Sequence, residues 1–140
     1  MYWIKNIKSF IFLLSAKEKY LFFYALFYLY FYKIYLLLIP FKKWSKYARF
    51  SKEFEKEITT KELKKITLSF IRAGKFYIGK NSCLIISLAL KKYLNSLQVK
   101  STLHLGLINK EYFIAHAWLT YKKIELTKKK ENYHEILTIE

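Results

Sequence analysis

From Tyr20 to Ile39 the chain carries a single charge, Lys33, and Pro40 closes the run. A helix that is apolar around nearly its whole circumference has to be buried in something, whether a protein core, a partner or a bilayer. Twenty residues also suffice for a membrane span. The insertion energies nearly cancel: each Leu, Ile or Phe contributes about −0.3 to −0.6 kcal/mol, and Lys33 near the centre opposes them with about +2.5 to +3.5 kcal/mol. The tyrosines decide the matter. Tyr20, Tyr24, Tyr28 and Tyr32 recur every fourth residue and draw a helical stripe along the whole segment, whereas aromatic residues of membrane spans gather at the two interfaces. Hydroxyl-tipped rings in such a stripe suit a protein-facing or water-facing groove. These features favour a soluble or partner-packed helical hairpin over membrane association through residues 20–39.

Residues 41–61 read as a charged linker with a short helix. Thr60 then opens an amphipathic helix through Leu63, Ile66, Phe70 and Ile71, and Gly74 stops it. A loop over residues 75–82 leads to a second buried helix, which starts at Cys83 and runs to about Asn95; Asn81 or Ser82 can cap it. From Val99 to Ile108 the residues alternate as in a strand, with Leu103, Leu105 and Leu107 on one face. Residues 109–111 form a hairpin turn and Tyr112 to Tyr121 the returning strand. Lys122-Lys123 is a tight turn, and Ile124 to Thr127 a short third strand. Lysines 128–130 break the pattern before a C-terminal tail that contains His134. Helices followed by an antiparallel meander make an α+β fold. It divides into an N-terminal apolar helical segment with a basic linker (residues 1–60) and a core (residues 61–140).

Composition narrows the function. The net charge is +16, with only 10 acidic residues, all of them Glu. The charge suggests a negatively charged partner, whether a nucleic acid, a membrane surface or an acidic peptide, while a solvated lysine coat is the plainer reading of most of these lysines. Sequence-specific nucleic-acid recognition leans on Arg, and Arg49 and Arg72 are the only two, so nucleic acid is disfavoured. One Cys cannot make an internal disulfide, and no small-residue cleavage site follows the early apolar run, so the expected location is cytoplasmic, with membrane association as the alternative. Three His, one Cys and no Asp leave little from which to build a metal site. No cofactor is expected.

The residues that carry chemistry are Cys83 and His116. A thiol in the first turn of a helix sits at the positive end of the helix dipole, which favours the nucleophilic thiolate. His116, on the returning strand, can serve as its base. Trp118 shares the His116 face by alternation and is either a substrate-binding wall of the site or a core tryptophan.

Cys83-Leu84, Ser87-Leu88-Ala89-Leu90, Leu105-Gly106-Leu107 and His116-Ala117-Trp118, in this order and spacing, resemble the transglutaminase-like superfamily of papain-type thiol enzymes. Within it the similarity is to the leader peptidases of lasso-peptide biosynthesis. Pro40-Phe41-Lys42-Lys43, which ends an apolar helix, also looks like that family, and the resemblance covers roughly residues 17–127. It implies a cysteine peptidase that removes the leader from a ribosomally made precursor, with no metal or cofactor. Its partners would be the precursor peptide, a separate leader-recognition protein and an ATP-dependent lasso cyclase.

Family members often place an acid about a dozen residues beyond the His, where this chain has Lys128. With a two-residue turn at Lys122-Lys123, Glu125 opposes Thr120 and shares the His116 face, so it is the expected orienting acid. Glu131, a backbone group or Thr127 are the alternatives. His104 is expected to be structural. Two other readings stay open: a non-catalytic peptide-binding subunit of the same fold, and a basic membrane-peripheral protein.

Overall fold

The computed structural model describes residues 12–49, 53, 55–79, 82–109, 113–130 and 132–140. Residues 1–11, the Asn81 cap, the tip of the hairpin turn at 110–112 and Glu131 lie outside the described residues. Among the described residues, four helices are followed by four strands: α1 (Ala16–Leu38), α2 (Phe41–Ala48), α3 (Thr60–Gly74), α4 (Ser82–Ser96), β1 (Thr102–Asn109), β2 (Phe113–Tyr121), β3 (Ile124–Glu125) and β4 (His134–Ile139). The fold is α+β, as the residue pattern implies.

The run from Tyr20 to Leu38 lies within one continuous helix, α1, and Ile39 is its extended C-cap. Ser15 starts it with a capping box: its side chain accepts from the Glu18 N–H, and the Glu18 carboxylate accepts from the Ser15 N–H at 3.0 Å. The Ser15 hydroxyl, which donates to the Glu18 carboxylate at 2.8 Å, and then the Ser15 N–H hold that carboxyl below its usual range. Leu21, Phe22, Ala25 and Leu29 form the buried line of α1, packed on α3 and α4. The tyrosine stripe runs along its shoulder, with the Tyr24 and Tyr28 rings stacked at 4.4 Å and Tyr24 edge-on to Tyr93 at 5.0 Å. Burial pushes the Tyr24 and Tyr32 hydroxyls well above the usual phenol range. Lys33, the one charge in the run, turns aside and donates to the Ile78 carbonyl at 3.1 Å.

Helix α3 spans the residues expected, Thr60 to Gly74, and the Thr59 side chain caps it by accepting from the Glu62 N–H. Helix α4 is the central helix of the core, touching α1, α3, β1 and β2. It ends in a Schellman arrangement: Gln98, at φ 63°, donates to Asn95, and Val99 donates to Leu94 at 2.9 Å. The four strands form one antiparallel sheet in the order β3-β2-β1-β4. Two expectations are corrected. The third strand is only Ile124–Glu125, and the supposed tail contains a strand, β4, in which His134 pairs with Leu107 of β1. Five of the six β4 residues are exposed, so it lacks the apolar periodicity that reveals a buried strand.

Lys91 of α4 is 1% exposed and donates to the Ser101 carbonyl. Burial lowers its ammonium to about 8 from 10.5. Below pH 8 it is charged in both the folded and the unfolded chain, and its burial penalty is fully present. Between about 8 and 10.5 the unfolded chain holds the proton that the folded chain has released, so stability rises with pH, at about 1.4 kcal/mol per unit. Urea unfolding should show wild type gaining on Lys91→Met by about 2 kcal/mol between pH 7.5 and 9.5. A pH-independent difference would contradict this assignment.

Candidate active site

Cys83 is the second residue of α4, half-buried and in the free thiol form. It therefore lies in the first turn, where backbone N–H groups have no intrahelical acceptor and point toward the helix entrance. The position of α4 along the sheet follows from two contacts. Near its C-terminal end, Lys91 reaches Ser101, the residue before Thr102, which pairs with Thr120 of β2. One turn earlier, the Ser87 hydroxyl lies 3.0 Å from the Thr127 hydroxyl, which accepts from the Leu119 N–H at 2.8 Å. Moving toward the start of α4 thus means moving back along β2. At about 1.5 Å per helical residue and about 3.3 Å per strand residue, the four residues from Ser87 back to Cys83 match about two strand positions. By this measure the start of α4 lies near the level of Ala117 along β2.

His116 lies on the sheet face turned away from α4. Ala117, Leu119 and Tyr121 enter the core, so His116, Trp118 and Thr120 occupy the other side. What joins the two faces is the edge of β2. Strand β3 pairs only with Thr120 and Tyr121, and the following segment crosses that edge. Leu126 and Thr127 donate to the Leu119 carbonyl, and Thr127 also touches Ser87 on the helix side. Lys128 then presents its carbonyl to His116, and Lys129 places its ammonium 5.2 Å from the Trp118 ring centre on the outer side.

The His116 Nε2 is 2.8 Å from that Lys128 carbonyl oxygen. A carbonyl only accepts, so Nε2 carries the proton, and in the neutral ring Nδ1 holds the free lone pair. Such a histidine is already the tautomer that takes a proton through Nδ1. The ring is 6% exposed and is held in place by its neighbours. Trp118 lies between two imidazoles, 5.3 Å and 4° from His104 and 6.1 Å and 21° from His116, and Tyr133 meets His116 at 5.1 Å. His104 is fixed in turn by Glu135 at 2.6 Å and Thr120 at 2.8 Å. Gly106, paired with His116, leaves room for this stack: a Cβ there would come within 2.9 Å of the Trp118 ring and 3.0 Å of the His134 carbonyl.

Two expected roles change. Glu125 does not reach His116 as the orienting acid. It is exposed, and its carboxylate accepts from the Lys129 N–H at 2.8 Å. Trp118 is 3% exposed and braces His116 instead of offering a face to substrate. Thr127 ties the segment to β2 and α4. The backbone partner, one of the alternatives open from the residues, is the one realised. Residue chemistry gave no signal for it, because any residue can present a carbonyl. Tyr133, also against His116, escaped notice with the rest of the C-terminal segment.

The tautomer is directly measurable. Nitrogen-15 NMR of neutral His116 should show a protonated Nε2 and a bare Nδ1, and Glu125→Ala should leave that pattern unchanged. A proton on Nδ1, or a switch in the variant, would contradict the Lys128 assignment.

A family model described as Transglutaminase-like superfamily matches residues 27–138, which include both Cys83 and His116. No curated protein and no solved structure matches the chain.

Proposed function

We propose, from the premise that this chain belongs to the transglutaminase-like superfamily, that it is a cysteine peptidase that removes the leader from a ribosomally made lasso-peptide precursor. The superfamily includes cysteine peptidases. The observation that supports the catalytic reading is the 2.8 Å bond from His116 to the Lys128 carbonyl, which leaves the Nδ1 lone pair available to act as a base. The assignment to leader removal rests on the ordered motifs Cys83-Leu84, Ser87-Leu88-Ala89-Leu90, Leu105-Gly106-Leu107 and His116-Ala117-Trp118.

In this mechanism His116 Nδ1 takes the Cys83 proton, and the sulfur attacks the scissile carbonyl carbon. The resulting oxyanion lies at the positive end of α4, within reach of the Cys83 N–H. The imidazolium gives its proton to the departing amine as the C–N bond breaks, leaving a thioester on Cys83. His116 then removes a proton from water, hydroxide adds to the thioester, and the acid and free thiol are released. No metal or cofactor is required. A leader-recognition protein would present the precursor, and an ATP-dependent lasso cyclase would take the freed core peptide. The lysine-rich surface suits an acidic precursor.

A carbonyl stabilises an imidazolium less than a carboxylate does. That observation supports a second reading, a peptide-binding subunit without catalysis. Mass spectrometry of the purified chain with precursor and leader-binding partner separates the two. The peptidase reading predicts leader release that is abolished by Cys83→Ala, falls about 10²- to 10⁴-fold in His116→Ala, and persists in Glu125→Gln. Precursor capture with no Cys83-dependent cleavage would establish the binding subunit instead.

A further inference from the structure

Helix α1 has a second face that the core does not use. Opposite its buried line, Tyr20, Phe23, Phe27, Tyr30, Phe31, Ile34, Leu37 and Leu38 are all exposed, Phe27 at 67% and Leu37 at 79%. Their spacing places them on one stripe of a helical cylinder. Phe23, Phe27, Tyr30 and Ile34 line a shallow apolar depression on it. Lys33 does not interrupt this stripe, because its ammonium is tied to the Ile78 carbonyl and lies against the Tyr30 and Tyr77 rings. Cations flank it at both ends. Lys17, already paired with Glu62 at 3.3 Å, and Lys19 precede it, and Lys42, Lys43 and Lys46 of α2 follow, the last three exposed.

We infer that this face is a docking surface for an anionic lipid bilayer, with α1 lying in the plane of the interface. An apolar stripe bordered by lysines on a helix of this length is the pattern of an interfacial helix. The charge selects the occupant. A second copy would bring another +16 against the first, whereas anionic headgroups neutralise the flanking lysines while the acyl boundary takes the aromatic stripe. By length and composition α1 could also cross a bilayer, with a mean hydropathy of 1.7. In-plane docking is favoured because Leu21, Phe22, Ala25 and Leu29 are already committed to α3 and α4. Spanning would either strip those contacts or carry the polar outer side of α3 into hydrocarbon. This inference does not depend on the catalytic reading.

The test is co-sedimentation of the full chain with vesicles made of equal parts phosphatidylcholine and phosphatidylglycerol. The chain should pellet with them, bind pure phosphatidylcholine at least about tenfold less, and be released by alkaline carbonate. Phe27→Glu combined with Ile34→Glu should reduce binding at least about tenfold with an unchanged circular dichroism spectrum. If that variant fails to fold, Lys42→Glu with Lys43→Glu should give the same loss on the anionic vesicles. The inference is overturned by failure to pellet, by binding that the folded variants leave unchanged, by resistance to carbonate, or by a dimer in solution that the α1 variant splits.

Discussion

The hydrogen bond between His116 Nε2 and the Lys128 carbonyl ties the candidate site to the rest of the fold, because it depends on where a loop crosses a sheet edge. Strand β3 ends after two residues, which frees the edge of β2 beside His116. The chain then crosses from the helix side to the outer side within residues 126–129. A longer third strand would occupy that edge with main-chain pairing and turn the Lys128 carbonyl to another partner. The short strand and the histidine's orientation are thus one constraint.

That constraint is shared with the core. The same Thr127 hydroxyl that accepts from Leu119 meets Ser87 of α4, so the helix carrying the thiol and the segment orienting the imidazole are fastened at one buried point. Ser87 is fully buried, where an unpaired hydroxyl would be costly. On the other side, the stack of His104, Trp118 and His116 restrains the ring against rotation, with Gly106 providing the space. The site is therefore held from both faces of the sheet.

Much of this was legible in the residues. The helical period from Thr60 to Gly74, the apolar wrap of the Cys83 helix and the alternation around Leu103 each reflect burial, and burial leaves a pattern. Lys122-Lys123 was readable as a turn because it separates two strand-like runs. Strand β4 was missed for the converse reason: an exposed edge strand needs little apolar content. The role of Glu125 failed differently. Strand alternation correctly placed it opposite Thr120, but it was fixed by the Lys129 N–H, a local main-chain contact that side-chain pattern does not encode. The Tyr20 to Ile39 run carried two signals at once, since one helix face is core and the other is open, and composition alone cannot divide them.

The proposed chemistry requires the Cys83 sulfur and the His116 Nδ1 to meet at the edge of β2. A short bifunctional alkylator, 1,3-dibromoacetone, tests it. It should first alkylate Cys83 and then close onto Nδ1 of His116, and digestion followed by mass spectrometry should recover the two peptides joined through one three-carbon bridge. Capture of Cys83 alone, with the second arm free or joined to another residue such as His104, would contradict the account.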